Sequence, residues 1–171
     1  MYCAEYSSPI GKMLLAADEQ NLTGLWIEGQ KYYAYSLAKD FAYNPNLVIL
    51  RKTKDWLDAY FLGKKPQIKD LSLAPSGNEF RQTVWRLLCD IPYGQTVSYE
   101  EIAQRTAHCL GKEKMSAQAV GTAIGHNPIT LIIPCHRVVA KNGALGGYAA
   151  GVSVKSKLLQ WERIDYGADC S

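Results

Sequence analysis

The spacing of apolar and polar residues changes period twice along this chain. Residues 1 to about 30 read as short strands. "MYCAEYSS" alternates loosely, "PIG" marks a turn, and "KMLLAAD" and "LTGLWIEG" follow, with Asp18 to Asn21 as a hairpin connection. In "LRKTKDWLDAYFLG", Leu50 to Gly63, Trp56, Tyr60 and Phe61 fall on one side while Lys52, Lys54 and Asp55 fall mostly elsewhere, which predicts an amphipathic helix stopped by Gly63. "KKPQIKDLSLAPSG" then loses periodicity and carries two prolines and a glycine, as expected of a linker between two lobes.

The second half reads as helices. Asn78 is placed to cap "EFRQTVWRLLCDI", where Phe80, Val84, Leu87 and Leu88 share a face. Ser98 is placed to cap "YEEIAQRTAHC", and Glu101, three residues on, completes a capping-box pattern. Ser116 is placed to cap "AQAVGTAIGH" after the basic loop "LGKEK". Three short helices with tight connections predict a helix-turn-helix-like arrangement. The third is rich in small residues: Ala117, Ala119, Gly121, Ala123 and Gly125 alternate with larger ones, and each internal glycine costs roughly 1 kcal/mol relative to alanine. Such a helix serves close approach, either to another helix or to a nucleic-acid groove. A final amphipathic helix, "SVKSKLLQWERI", follows the glycine-rich "NGALGGYAAG".

Between these helices lies "HNPITLIIPCHRVVA", His126 to Ala140. Its apolar run, Ile129 to Ile133, is broken only by Thr130 and predicts a buried strand that must end at Pro134, which has no N–H for a ladder. Cys135, His136 and Arg137 follow at once. A thiol becomes reactive as thiolate, and an imidazole or cation nearby lowers its pKa from ~8.5. Adjacency in sequence does not establish contact, so a reactive thiol and an inert buried one both stay open here. A cysteine hydrolase would need the same pair plus an orienting acid or amide.

Composition narrows the class. With 171 residues, 47% hydrophobic and 20% charged, the chain suits one ordinary domain or two small ones around a real core. Its apolar runs are too short to cross a bilayer, and its N-terminus has no signal-peptide pattern, so no membrane partner is expected. Five scattered cysteines (Cys3, Cys89, Cys109, Cys135 and Cys170) point to free thiols in a reducing compartment, the cytoplasm or a eukaryotic nucleus. No CxxC pair or Cys/His cluster indicates a metal, and no cofactor is expected. The net charge of +3 is uninformative by itself, but from Ala107 to Lys157 six bases (Lys112, Lys114, Arg137, Lys141, Lys155 and Lys157) face one acid, Glu113. That local excess suits a polyanion, or is simply a solvated basic face.

"IPCHRVV" resembles the active-site signature of the O6-alkylguanine-DNA alkyltransferases, the methylated-DNA–protein-cysteine methyltransferases. "FRQTVW", "IPYGQTVSYEEIA", "AVGTAIGHNP", "NGALGGYAAG" and "KLLQWE" stand in that family's order, so the resemblance spans most of residues 78 to 164. It implies an α/β (α+β) fold, with a small N-terminal strand-helix domain over residues 1–75 and a C-terminal helix-turn-helix (winged-helix-like) alkyltransferase domain over 76–171. It implies a DNA repair protein that moves an alkyl group from O6-alkylguanine to Cys135 once per molecule, acting as a monomer on duplex DNA. His136 would take the thiol proton through a water, with Glu162 behind it. Asn127 would brace the turn, and Tyr99 would assist the leaving base. The main chain of Cys135 and Val138 would contact the guanine, and Tyr148 would belong to the loop closing the pocket. Ser116, Gln118, Ala119, Gly121, Arg137 and Lys155 would contact DNA or substrate.

Three positions depart from the family pattern. Gln118 stands where an arginine commonly fills the gap left by the flipped base, so the charge and stacking plane are lost. The turn "HCLGKEKMS" is longer than in the best-known members, and its two lysines offer phosphate contacts. Ala150 replaces a glycine common in the pocket loop, implying a tighter pocket that admits methyl more readily than benzyl. The alternative is a damage-binding relative without transfer, but those lack the cysteine that this chain has. A sequence-specific regulator is disfavoured because the third helix has few long side chains to read bases.

Overall fold

The computed structural model describes residues 1–168, with side chains through Arg163; Cys170 lies outside the described residues. The chain divides into two compact units, one of residues Met1–Ser76 with Pro128–Ile132, the other of Gly77–Asn127 with Ile133 onward. Together they make a mixed α+β protein, and no helix among the described residues is long and apolar enough to cross a membrane.

In the first unit, strands β1 (Tyr2–Ser8), β2 (Gly11–Ala17) and β3 (Leu22–Ile27) pair antiparallel, and a two-residue β4 (Ala42–Tyr43) adds in parallel beside β1 to give the order β3-β2-β1-β4. The expected hairpin at Asp18–Asn21 forms because the Asp18 carboxylate accepts the N–H groups of Gln20 at 2.8 Å and Asn21 at 2.7 Å. Helix α1 (Val48–Phe61) buries Ile49, Leu50, Trp56, Leu57 and Tyr60, and Gly63 leaves it at a φ of 74°. The predicted linker is ordered instead. The Trp56 indole donates to Gln67 O at 2.9 Å, and Leu73 extends the β3 edge, with Leu22 N donating to Ser72 O and Ala74 N to Leu22 O, both 2.8 Å. An aperiodic segment still satisfies its backbone when a sheet edge lies open to it.

The second unit holds α2 (Glu79–Cys89), β5 (Val97–Ser98), α3 (Tyr99–Cys109), α4 (Ala117–Gly125), β6 (Val138–Val139) and α5 (Val152–Ala168). The three expected caps are made: Asn78, Ser98 and Ser116 accept from the backbone N–H of Arg81, Glu101 and Ala119. The reciprocal half of the capping box is absent, because the Glu101 carboxylate pairs with Arg105 one turn on. Helices α2, α3 and α4 pack on one another around Val84, Trp85, Leu88, Ile102, Val120, Ala123 and Ile124, and the Trp85 indole donates to Ala123 O at 2.9 Å. Strand β6 runs parallel to β5, with Val97 beside Val138 and Ser98 beside Val139.

Ile129–Ile133 is not a strand. Only Ile129 bridges, beside Leu25, and the chain then turns. Ile132 N donates to Thr130 O across Leu131, whose φ is 74°, and Cys135 N donates to Ile133 O across Pro134 at φ −81°, ψ 64°. These are two successive three-residue turns. The run is apolar because it is fully buried, and burial alone does not distinguish a strand from any other interior segment.

Candidate functional site

The paired β5 and β6 bring the chemistry together. Two residues beyond Val97, Tyr99 opens α3; three residues before Val138, Cys135 opens a 3₁₀ turn, Cys135–Arg137. Cys135 is buried, 4% exposed, and burial pushes its thiol pKa up. Opposing that rise are a side-chain hydrogen bond from Asn127, the charge of Lys155, its own backbone N–H and a hydrogen bond from Tyr148. Asn127 also donates to Ile133 O at 2.9 Å, closing the ends of the excursion from Pro128 to Ile132.

Helix α5 supplies the groups behind the thiol. Lys155, Leu158, Leu159 and Glu162 recur at i, i+3, i+4 and i+7, and all four are buried. The Glu162 carboxylate accepts from His136 Nε2 at 2.7 Å, from Arg137 Nη2 at 2.9 Å and Nε at 3.0 Å, and from Gly94 N at 3.1 Å. Burial alone would raise its pKa, but the hydrogen bonds from His136 and Arg137, with the Arg137 charge, hold it down to about 2. An ionised carboxylate can only accept, so the Nε2 of His136 carries the hydrogen. Burial lowers the His136 pKa against the pull of Glu162, keeping the ring neutral at pH 7. Its Nδ1 is therefore an acceptor, buried and with no hydrogen-bond partner among the described residues.

Two residues expected to contact DNA or substrate, Arg137 and Lys155, are buried. Arg137 is 6% exposed: it clamps Glu162, donates through Nη1 to Ile91 O at 2.7 Å and lies over the Tyr93 ring. Lys155 is wholly buried. Both belong to the local basic excess between Ala107 and Lys157, of which Lys112, Lys114, Lys141 and Lys157 are exposed. Local charge counting cannot distinguish a solvated base from one whose partner comes from a distant segment. The signal available for Lys155 was its place on the apolar stripe of α5.

The other positions fall around Tyr99. Its hydroxyl donates to Gly147 O at 3.4 Å, and burial and the nearby Cys135 raise its pKa. Tyr148 lies on the same loop, half-buried. The Val138 carbonyl takes a donor from Lys155 at 2.6 Å, leaving one lone pair. Gly146 has a φ of 71°, and a Cβ there would lie 2.9 Å from the Tyr99 hydroxyl. Gly146→Ala is expected to destabilise the fold by about 1–2 kcal/mol, read by urea titration. On α4, Gln118 and Thr122 are exposed and Ala119 is half-buried, while the Ser116 hydroxyl is committed to its cap. A Cβ on Gly121 would meet Tyr99 at an ordinary 3.8 Å, and one on Gly125 would meet nothing. Packing within the protein therefore does not demand glycine at either position.

Comparison with known proteins places this arrangement. Residues 79–164 match the model for the 6-O-methylguanine DNA methyltransferase, DNA binding domain, and residues 1–75 the one for the ribonuclease-like domain of the same family. The chain belongs to the 6-O-methylguanine DNA methyltransferase family. It is 42% identical to a Methanosarcina acetivorans methylated-DNA–protein-cysteine methyltransferase, over 95% of this chain and 98% of that one. A Mycobacterium tuberculosis OGT solved in complex with DNA is similar at a TM-score of 0.84 and 36% identity, covering 96% of this chain and 94% of that one. A Haemophilus influenzae methyltransferase of the same name is 33% identical over 97% of this chain and 88% of its own length.

Proposed function

We propose that this protein repairs DNA by transferring the alkyl group of O6-alkylguanine to Cys135, one group per molecule. The observation that carries the reading is the orientation of His136. Its Nε2–H is committed to an ionised Glu162, which Arg137 holds from the other side, so a neutral Nδ1 is left to receive a proton. A water between Nδ1 and Cys135 Sγ completes a relay that removes the thiol proton. Such a base is needed because burial keeps the resting thiol protonated.

In the transfer the Cys135 sulfur attacks the alkyl carbon. An S–C bond forms, the C–O6 bond breaks, and its electron pair stays on the guanine. Tyr99 donates a proton to the departing base, and the proton taken from the thiol balances it. The thioether product holds a carbon with no good leaving group, so the protein is spent. The target base reaches the thiol by leaving the duplex, which costs a few kcal/mol. Helix α4 suits the approach: the open space at Gly125 and the short outward side chains of Ala119 and Thr122 let a backbone lie close to a minor groove. Gln118 is the longest exposed side chain on that face and fills the gap left by the base. Lys112, Lys114, Lys141 and Lys157 add affinity that is sequence-independent and salt-sensitive.

The test mixes the protein with a duplex carrying one O6-methylguanine and follows intact and peptide masses. One methyl per chain, on the peptide that contains Cys135, is expected. A duplex that binds with no change in protein mass would make this a damage-binding member of the family.

A further inference from the structure

Pro128–Ile132 packs with the first unit, while Asn127 and Ile133 on either side belong to the second. Cys135 stands three residues beyond Ile132, so whatever fixes this excursion also fixes where the thiol emerges. The excursion does not hold itself. Leu131 is buried at a φ of 74°, a left-handed backbone that a leucine adopts only at a cost, and a three-residue turn centred on such a residue is the rare, strained form. Strain of this kind persists only where the surroundings over-determine it.

The first unit supplies three holds. Leu25 N donates to Pro128 O at 2.8 Å, and Thr130 N donates to Leu25 O at 2.9 Å. The third hold is made by side chains. Gln30, three residues past β3, is buried, and its Oε1 accepts from Ile27 N at 2.7 Å and from the Thr130 hydroxyl at 3.2 Å. A backbone N–H can only donate, which fixes the orientation of the amide; its Nε2 donates to Lys31 O at 3.4 Å. Burying an amide is unfavourable unless it is bonded, and one bond of this amide goes to the residue directly before the strained one. The transfer chemistry above involves neither Gln30 nor Thr130.

We propose that Gln30 and Thr130 are positioning residues for alkyl transfer, their hydrogen bond clamping the strained turn at Leu131 and so setting where Cys135 stands relative to His136 Nδ1. They act through the backbone and do not touch the substrate. The clamp holds Thr130 on one side of the turn, and Asn127 holds Ile133 O on the other. Without the clamp Leu131 relaxes toward negative φ, and the change passes along the chain to Pro134 and Cys135. Transfer is sensitive to it, because a misplacement of about 1 Å can slow a positioned reaction by on the order of 100-fold. The proposal rests on the alkyl-transfer reading.

The experiment measures single-turnover methyl transfer, per active molecule, as a function of the concentration of an O6-methylguanine duplex. The native protein is compared with Thr130→Val, Thr130→Ser, Gln30→Met and the double variant Gln30→Met/Thr130→Val, with thermal melting as a control. Thr130→Val keeps the shape and removes the hydroxyl; its rate at saturating duplex should fall by on the order of 10-fold, with the half-saturating concentration unchanged. A purely structural role would lower the melting temperature and leave the rate per active molecule alone. Thr130→Ser, which keeps the hydroxyl, should return close to the native rate. The double variant should be no slower than Gln30→Met, because both changes break the same bond. A folded Thr130→Val with the native saturating rate overturns the proposal, as does a Thr130→Ser as slow as Thr130→Val. A double variant slowed by the product of the two single effects also overturns it. Hydrogen exchange on the native protein needs no variant: the Ile27 and Thr130 amides should exchange only with unfolding of the first unit, and exchange as fast as an open loop's overturns the clamp. A native protein that takes up no methyl overturns the alkyl-transfer reading itself, which separates the two failures.

Discussion

Cys135→Ala is expected to bind an O6-methylguanine duplex as the native protein does and to take up no methyl. Loss of the nucleophile lowers the rate by on the order of 10⁴-fold or more, because the positioning that remains has nothing to position. Replacing a buried thiol by a methyl group costs on the order of 1 kcal/mol, so the variant should fold and bind. The other described thiols do not substitute. Cys89 is part-buried in α2, and burial together with Asp90 pushes its pKa up to about 11, which leaves little thiolate. Cys3 lies in β1, in the other unit, and its pKa is also raised by burial. Fluorescence anisotropy for binding and peptide mass mapping for the methyl read the two properties separately. A methyl found on Cys89 or Cys109 of the variant, at the native rate, would contradict the assignment of Cys135.

Glu162→Gln is expected to damage both stability and chemistry. The carboxylate is the only charge set against the buried Arg137 guanidinium among the described residues, and it fixes the hydrogen of His136. Removing one member of such a pair leaves an uncompensated buried charge and costs about 3–5 kcal/mol. Transfer should slow by on the order of 10²-fold or more, since an amide can present its N–H to His136 and reverse the tautomer. The same residue governs acid stability. Its folded pKa, about 2, lies below the ordinary 4.5, so the unfolded chain binds the extra proton first as pH falls. The stabilisation, about 3 kcal/mol, is present above about pH 4.5 and is lost progressively toward pH 2. Urea titrations from about pH 3 to 7 should show this slope in the native protein and a flatter one in Glu162→Gln. Equal slopes would mean that the carboxylate is not held by His136 and Arg137 in solution.

What the sequence determined by itself is what short-range chemistry controls. Asn78, Ser98 and Ser116 cap their helices because each oxygen needs only an N–H three residues away. Asp18 closes its hairpin, and Gly63 ends α1, for equally local reasons. The family resemblance also pointed to Cys135, His136, Asn127, Tyr99 and Glu162, all of which lie in the second unit. The pattern was less informative where several structures bury the same residues. Ile129–Ile133 reads as a strand and is a pair of turns, and Lys64–Gly77 reads as a linker and partly edges a sheet.

Only the tertiary structure decided which charges are inside. Arg137 and Lys155 look like members of a basic surface, and their sequence neighbours do not reveal otherwise. Glu162 lies twenty-five residues beyond Arg137, and Ile91 forty-six before it. The partners of Lys155 come from α3, β6 and the glycine loop. A charge is buried when distant segments supply enough hydrogen bonds to offset its lost hydration, and those segments meet only once the chain has folded.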